Sequence, residues 1–358
     1  MPTLYDITKW ELQPEYGTKG TRDKVYVQSS GDNKFYYFKQ SFKSIKNEGK
    51  DYFFEFWSEV IATEIGQLLG FNVLRYGIAI RGDVMGCISE SMISEDETLT
   101  DGGQYLRAFE MEFDPKSKDG RRLYSFQLIE DTLEAFELSG YIEKIIEIII
   151  FDSIIGNGDR HQENWAFINN QTHFGKMVDF VERTVKTGHH KMMPPEFQDV
   201  AEQIFNTENK EIKPESKVLL LFAQEVKAFA PNFDNGSSLG RELESDRVDR
   251  MLKNEQELVA YINRGKSEIR WESNKMTHFE LIKNLLESSY AEITEKVINR
   301  VIEKYDYNRI RNIVLDIDYD VPIGKFERYK LPKNRKLLII KLVTLRIERL
   351  KTLLHERL

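Results

Sequence analysis

The chain has 358 residues, of which 41% are hydrophobic and 31% charged, a composition that can bury a large core and excludes a disordered or collagen-like chain. Its net charge of −8 argues against a general nucleic-acid coat, which is normally basic, so no direct nucleic-acid binding is expected. The single cysteine, Cys87, excludes an intramolecular disulfide and fits a reducing compartment. Without a signal-peptide pattern or an apolar run near the ~20 residues that span a bilayer, we expect a soluble, cytoplasmic protein with no membrane span.

The first 95 residues have the pattern of strands and turns around one helix. Four short β-rich runs predict strands, at residues 24–27, 34–39, 72–80 and 84–92. The turn cluster SSGDN at residues 29–33 indicates that the first two strands form a hairpin. Apolar residues at three- and four-residue spacing predict a helix over residues 51–69, and Gly70 is placed to end it.

The rest of the chain is predominantly helical. Helical periodicity recurs in the segments 123–139, 142–155, 218–229, 254–263, 277–287 and 289–304. The basic stretch 333–358 is predicted to be a last, packed helix with its charges in solvent. The fold class is therefore α+β, with a small β-rich N-terminal lobe over residues 1–95 and a larger helical C-terminal lobe over residues 96–358.

A polar loop follows the apolar helix predicted at residues 142–155. Its sequence GNGDRHQENW, residues 156–165, presents Asp159 and, five positions on, Asn164. This spacing is that of a protein-kinase catalytic loop, where the aspartate accepts or orients the proton of the attacking hydroxyl and the asparagine binds Mg²⁺. A turn closed by a capping asparagine would use the same residues, so the motif gains weight only in combination with others.

A second polar turn, FDNGSSLG at residues 233–240, presents Asp234 after an aromatic residue. Mg²⁺ takes oxygen ligands and keeps several waters, so one aspartate, one asparagine and phosphate oxygens suffice to hold it. Taken alone, the same segment is more typical of a hairpin or capping turn.

A glycine-containing loop, GTKGTRDK at residues 17–24, leads into the first strand of the hairpin. Its glycines would let backbone N–H groups approach phosphates closely. Lys39 lies on the aromatic face of the second strand, where a lysine is unexpected unless it meets a charge, and nucleotide phosphates would supply that charge. A solvated edge lysine is the alternative, and Lys24 and Lys43 are rival candidates.

A glycine loop, a strand lysine, a helix with a glutamate, an Asp-x4-Asn loop and a second aspartate follow one another along the chain. This is the order of parts in a two-lobed phosphotransferase. The same motifs, within residues 5–307, resemble the HipA-like serine/threonine kinases, which include bacterial toxin–antitoxin kinases and related cell-translocating kinases. The resemblance implies a two-lobed protein-kinase-like fold, ATP and Mg²⁺ as cofactors, and transfer of phosphate to Ser or Thr hydroxyls.

The resemblance also implies roles for individual residues. Asp159 would be the catalytic aspartate, Asn164 and Asp234 the metal ligands, and Glu59 the partner that holds Lys39. Contacts with the nucleotide would come from the phosphate loop, the strand lysine and the adenine hinge, that is from Gly17, Thr18, Gly20, Thr21, Lys39, Glu90 and Met92. In HipA kinases a serine of the phosphate loop is autophosphorylated, so an inhibitory autophosphorylation site is expected here on Thr18 or Thr21.

Two assignments keep an alternative. On a helical wheel Glu64, not Glu59, falls on the apolar stripe of the predicted helix, whereas the family match favours Glu59. Asp179 follows Asn164 at the spacing of an ordinary kinase metal loop and rivals Asp234.

The stretch before Asp234 is longer than the short hairpin of the family, so residues 177–226 form an insert that could recognise substrate, gate the site, bind a partner or be a tolerated surface excursion.

The sequence thus predicts an ATP- and Mg²⁺-dependent, autophosphorylating serine/threonine protein kinase of HipA type. The expected partners are a protein substrate with Ser or Thr and an antitoxin-like regulator. A lipid or small-molecule kinase and a weakly catalytic nucleotide-binding interaction module are the alternative functions. Delivery into another cell as an effector is compatible with the same sequence.

Overall fold

The computed structural model of the protein describes residues 2–13, 24–40, 54–213 and 224–357, together with residues 216, 218 and 221. Within these residues the strands are β1 (Leu4–Asp6), β2 (Glu11–Leu12), β3 (Lys24–Gln28), β4 (Phe35–Gln40), β5 (Tyr76–Arg81), β6 (Val84–Glu90), β7 (Glu97–Asp101), β8 (Ala166–Asn170), β9 (Phe205–Asn206), β10 (Glu211–Ile212) and β11 (Glu225–Phe229). The α-helices are α1 (Glu55–Leu69), α2 (Gly102–Phe109), α3 (Phe126–Ala135), α4 (Ile142–Ile155), α5 (His173–Thr187), α6 (Pro195–Ile204), α7 (Ser245–Lys253), α8 (Glu255–Arg264), α9 (His278–Leu286), α10 (Ala291–Lys304), α11 (Tyr307–Asp316) and α12 (Lys333–Arg357).

The chain contacts divide the protein into two compact units. The first unit consists of Met1–Ser91, Glu143–His161 and Pro231–Leu358. The second consists of Met92–Ile142 and Gln162–Ala230. The polypeptide therefore leaves the first unit twice and returns to it twice.

The first unit contains a six-stranded sheet in the order β1-β5-β6-β4-β3-β2. Only the β1–β5 pair is parallel. The predicted hairpin is confirmed, with Val25 opposite Phe38 and Tyr26 opposite Tyr37 in antiparallel β3 and β4. Because successive strand residues point to opposite faces, Phe38 enters an apolar cluster on one face of the sheet and Lys39 takes the other face.

Helix α1 confirms the helix predicted before Gly70 and is buried on nearly all of its faces, polar residues included. Gly70 ends it in the left-handed conformation, φ 82°, and its N–H caps the carbonyls of the last turn. Within the helix, a Cβ on Gly66 would lie 2.6 Å from Val73 Cγ1 and 3.1 Å from Phe151 Cζ. The missing side chain therefore lets α1 lie close to Phe151 of α4.

The other predicted helices of the first unit are confirmed, with boundaries that shift by a few residues. Helix α4 is rich in buried isoleucines and also buries the carboxylates of Glu147 and Asp152. The last predicted helix is α12, but its charges are not all in solvent. Arg346 and Lys336 are buried, and Lys336 Nζ lies 2.5 Å from Asp318 Oδ1. Because Lys336 is buried together with its counter-charge, this helix packs through charged side chains as well as apolar ones.

The second unit contains a three-stranded antiparallel sheet in the order β11-β8-β7. The helix predicted over residues 218–229 is wrong at its end, because Glu225–Phe229 form strand β11. The alternation of polar and apolar residues in EVKAF also fits a strand, and periodicity in so short a segment does not separate the two structures. Its pairing with β8 decides the conformation.

The predicted insert, residues 177–226, spans most of the chain between the paired strands β8 and β11. Its described part includes most of α5, helix α6 and the β9–β10 hairpin. They share a small apolar core, formed by Val178, Val181, Val185, Ala201 and Phe205. Within the ranges that the structure describes, no helix combines the length and the apolar composition needed to cross a bilayer.

Candidate functional site

Lys39 is the centre of a charged cluster in the first unit. It pairs with Cys87 across the β4–β6 ladder and is buried, with its Nζ 2.8 Å from Glu59 Oε1 and 2.9 Å from Asp234 Oδ1. The ring of Tyr76 lies 5.5 Å from Nζ. Burial by itself lowers the pKa of Lys39, but Glu59, Tyr76 and Asp234 together hold that pKa well above its ordinary value. The ammonium group is therefore kept charged inside the protein.

Glu59 connects the strand lysine with the loop that carries Asp234. Its Oε1 accepts from Lys39, and its Oε2 accepts the backbone N–H of Asn235 at 2.7 Å. The partner of Lys39 in the structure is thus Glu59 and not Glu64 of the same helix. The helical wheel favours Glu64 because it assumes one apolar face and one solvent face. Helix α1 is buried on nearly all sides, so that its polar residues face other protein groups rather than solvent.

The Asp234 loop, residues 233–240, is fixed at both ends. Before it, the carbonyl of Asn232 accepts the N–H of Leu74 at 2.8 Å. At its far end, the N–H of Leu239 donates to the carbonyl of Ile155 at 2.8 Å. Asp234 itself has φ 55° and Leu239 φ 56°, the left-handed region that an aspartate tolerates better than most residues. This backbone directs the Asp234 carboxylate to Lys39.

Arg160 joins the Asp159 loop, residues 156–161, to the Asp234 loop. Its side chain is 1% exposed, and its Nε and Nη2 donate to the two oxygens of Asp152 at 3.0 and 2.8 Å. The same guanidinium donates to the carbonyl of Phe233 at 2.6 Å and to Oδ1 of Asn235 at 2.7 Å. A planar fork of charged donors suits such a site, because several acceptors are satisfied by one rigid group.

Asp159 is held from both sides within the first unit. Its backbone N–H donates to Oδ1 of Asn157 at 3.1 Å, and the Asn157 amide in turn donates to Asp152 at 3.2 Å. Its carboxylate Oδ2 accepts the hydroxyl of Ser237 at 3.0 Å. Because Ser237 belongs to the Asp234 loop, the structure brings the loops of the two predicted active-site aspartates together.

Other predicted site residues lie elsewhere in the chain. Glu90 ends β6 in the first unit, where its carboxylate lies 2.7 Å from Lys34 Nζ. Met92 and Asn164 belong to the second unit, and Asn164 is buried just before β8. The rival metal ligand Asp179 lies on α5, and its Oδ2 accepts from Gln171 at 2.6 Å.

Residues 17–23 of the predicted phosphate loop lie outside the described residues. This holds for its four predicted nucleotide contacts, Gly17, Thr18, Gly20 and Thr21. Of the two rivals to Lys39, Lys43 also lies outside them, whereas Lys24 is paired across the β3–β4 ladder with Lys39 itself. The roles of these loop residues stay predictions.

Sequence reasoning missed Arg160, Asp152, Asn235 and Ser237 as parts of the site, although all but Asp152 lie inside the quoted motifs. One signal was available. Asp152 is a carboxylate among the apolar residues at the end of a mostly buried helix, and a buried charge of this kind requires a partner. Arg160 is the basic residue that follows the helix most closely.

The donors of this cluster fit a magnesium–nucleotide complex. Among the described residues there is no group of three or more His, Cys, Asp or Glu side chains that could form an all-protein metal cage. Magnesium needs no such cage, because one or two carboxylates and substrate phosphates complete its shell. Asp234 offers a carboxylate beside the Lys39 cation. The buried Nδ2 of Asn235 has no acceptor within the described residues, which suits a phosphate oxygen.

No family model matches the sequence, and no curated protein matches it either. Among solved structures, the chain is similar to the Helicobacter pylori proinflammatory kinase CtkA, with a TM-score of 0.70 and 17% identity over 99% of this chain and 97% of that one. It is also similar to a chain of the Shewanella oneidensis MR-1 toxin–antitoxin complex of HipA, HipB and operator DNA, with a TM-score of 0.46 and 12% identity over 94% of this chain and 64% of that one.

The protein therefore has the fold of a kinase. The similarity to CtkA extends over nearly the whole of both chains. It confirms the kinase-like fold and the α+β class that the sequence predicted.

Proposed function

We propose that the protein is an ATP- and Mg²⁺-dependent serine/threonine protein kinase of HipA type. The observation that carries this proposal is the buried Lys39, held by Glu59 and in contact with Asp234, in a chain with a kinase fold. A strand lysine paired with a helix glutamate beside a metal-binding aspartate is the arrangement that phosphoryl transfer uses to position a nucleotide.

Each residue has a role that follows from its chemistry. Lys39, kept cationic by its carboxylate neighbours, would contact the nucleotide phosphates. Asp234 would hold Mg²⁺, which offsets negative charge on the phosphates, and the role of Asn164 as a metal ligand stays a prediction. We prefer Asp234 to Asp179 because Asp234 contacts Lys39, whereas Asp179 accepts from a glutamine.

Asp159 would orient the acceptor hydroxyl and take its proton. In a loose phosphoryl-transfer transition state the proton moves late, so the carboxylate needs little intrinsic basicity and its placement matters more. Asp159 is placed by its backbone bond to Asn157 and by Ser237. Arg160 holds the Asp159 loop and the Asp234 loop in one arrangement.

Further parts of the proposal extend beyond this cluster. Thr18 or Thr21 would be the inhibitory autophosphorylation site, because a phosphate there would repel the phosphates of ATP. Glu90 and Met92 would lie beside the adenine. An antitoxin-like regulator would bind the protein, and the 177–226 insert would recognise substrate or partner.

The test is transfer of radiolabelled γ-phosphate from Mg-ATP, in buffer and in cell lysate, by wild type and by the variants Asp159→Asn and Asp234→Asn. We expect both variants to lose about 10²-fold or more of the activity while remaining folded at the assay temperature. Asp179→Asn is the matched control and should keep activity within about threefold, since ordinary surface changes have small effects. Phosphopeptide mapping of the labelled wild type locates any autophosphorylation site.

Different outcomes would replace the proposal by an identifiable alternative. Transfer to inositol lipids or small alcohols, with none to protein, would assign a lipid or small-molecule kinase. Normal ATP binding without transfer to any acceptor would assign a nucleotide-binding interaction module. Loss of activity in Asp179→Asn but not in Asp234→Asn would move the metal site to the second unit.

A further inference from the structure

Ser237 connects the Asp159 carboxylate to a cation that follows the Asp234 loop. Its Oγ lies 3.0 Å from Asp159 Oδ2 and 3.0 Å from Nη2 of Arg241. The other terminal nitrogen of Arg241, Nη1, lies 2.9 Å from Oε2 of Glu55 on α1. A chain of polar contacts therefore runs from α1 through Arg241 and Ser237 to Asp159.

The chemistry of the three groups fixes the direction of these hydrogen bonds. A guanidinium only donates and an ionised carboxylate only accepts, whereas a hydroxyl does both. Arg241 must therefore donate to the Ser237 oxygen, and the single hydroxyl proton of Ser237 is directed to Asp159. The hydroxyl cannot turn away without losing one of these two contacts.

The backbone around Ser237 is fixed as well. The next residue, Ser238, is buried, and its hydroxyl donates to the carbonyl of Asn235 at 2.6 Å. Leu239 is held to the carbonyl of Ile155 at 2.8 Å. Ser237 itself is only half-buried, so its side chain is not a core filler, and its contacts with Asp159 and Arg241 are contacts with charged groups.

We infer that Ser237 is a positioning residue for Asp159, and that Arg241 acts on Asp159 through the Ser237 hydroxyl. This inference rests on the proposed function. A carboxylate that is bound at one oxygen loses freedom to rotate about χ2, so the acceptor hydroxyl meets it in one orientation. Positioning of this kind is worth much in rate, because a misplacement of about 1 Å costs roughly 10²-fold.

The experiment compares Ser237→Ala with Ser237→Thr in steady-state phosphate transfer from Mg-ATP to casein as a generic acceptor. We expect Ser237→Ala to lower kcat about tenfold to a hundredfold and to change the KM for ATP less than about threefold, because the inference gives Ser237 a role toward Asp159 and none in holding the nucleotide. Ser237→Thr keeps the hydroxyl and should restore most of kcat.

Ser58→Ala is the matched control. The Ser58 hydroxyl donates from α1 to the carbonyl of Ser238 at 3.2 Å, so its loss loosens the same loop without removing a contact of Asp159. It should leave kcat within about twofold, as expected for a change away from the reacting groups. Thermal unfolding of each variant shows whether the fold is kept.

A double-mutant cycle tests the role of Arg241. Arg241→Met should lower kcat in the wild-type background but add little in the Ser237→Ala background, because its effect passes through Ser237. Arg241→Met also breaks the ion pair with Glu55, and this lowers kcat independently of Ser237. The change in kcat that Arg241→Met causes in the Ser237→Ala background measures this independent part.

Four results would overturn the inference while the proposed kinase function stands. They are wild-type kcat in Ser237→Ala, failure of Ser237→Thr to restore kcat, full additivity of the two substitutions, and phosphate on Ser237 in fragment spectra, which would make it an acceptor. A wild-type protein that transfers no phosphate would instead overturn the proposed function and this inference with it.

Discussion

Replacing Arg160 by methionine tests whether the Asp159 and Asp234 loops depend on one buried ion pair. The variant keeps the length and apolar stem of the side chain and removes donors to Asp152, Phe233 and Asn235. The Asn157 amide, which donates to the Asp152 carboxylate at 3.2 Å, carries no charge to replace the guanidinium. Asp152 would then be a buried charge without its counter-charge, because its side chain is only 3% exposed.

The magnitude follows from that uncompensated charge. Breaking a buried ion pair on one side costs about 3–5 kcal/mol of unfolding free energy. In the double variant Asp152→Asn/Arg160→Met both charges are removed. The remaining loss of unfolding free energy is that of the Phe233 and Asn235 acceptors, which lose their donor, and amounts to about 1–3 kcal/mol. The double variant should therefore be more stable than Arg160→Met although it carries one more substitution.

The loss of unfolding free energy in Arg160→Met should also depend on pH. Burial raises the pKa of Asp152 above its ordinary value of 3.8, and Arg160 opposes this effect. In Arg160→Met the opposing effect of Arg160 is lost and the pKa of Asp152 rises further, so the folded variant binds a proton that the unfolded chain has already lost. The penalty is smallest below pH 3.8, where both states hold the proton, and grows as the pH rises through the interval up to the raised pKa.

The assay is urea unfolding followed by far-UV circular dichroism at pH 5 and pH 8, with hydrogen exchange of α4 to assign the transition to the first unit. Arg160→Lys is the control that keeps the charge but not the planar fork, and its loss should fall between those of wild type and Arg160→Met. The reasoning is refuted if Arg160→Met loses less than about 1 kcal/mol, if the double variant is no more stable than the single one, or if the penalty grows on acidification.

Two further predictions concern α1. Glu59→Gln should lower kcat/KM for ATP about 10²-fold, because Lys39 loses the carboxylate that holds it, whereas Glu64→Gln on the same helix should stay within about threefold; equal losses in the two variants would contradict the assignment. Gly66→Ala should lower the free energy of unfolding by about 1–3 kcal/mol through the 2.6 Å approach to Val73. Gly140→Ala is the control, because a Cβ at this position meets nothing within 4 Å. The free energy of unfolding of both variants is measured by urea titration, and equal losses would contradict the packing argument.

The parts of this protein that depend on local preference could be predicted from its sequence. The β3–β4 hairpin follows from alternating aromatic residues around a turn cluster, and the end of α1 from a glycine that adopts φ 82° without a steric penalty. Asp159 and Asp234 were selected because each lies in a motif with a chemical role. Such signals lie within a few residues of one another, so they need no knowledge of the fold.

Only the tertiary structure decided the contacts that make a site of these residues. The partner of Lys39 could not be read from the helical wheel, because the wheel assumes one solvent face and α1 has almost none. The sequence predicts a helix where β11 lies, because the conformation of β11 depends on pairing with β8, a strand more than fifty residues earlier. The links from Arg160 to Asp152 and Asn235, and from Ser237 to Asp159, arise because folding encloses charged and polar groups that are then stable only with their partners.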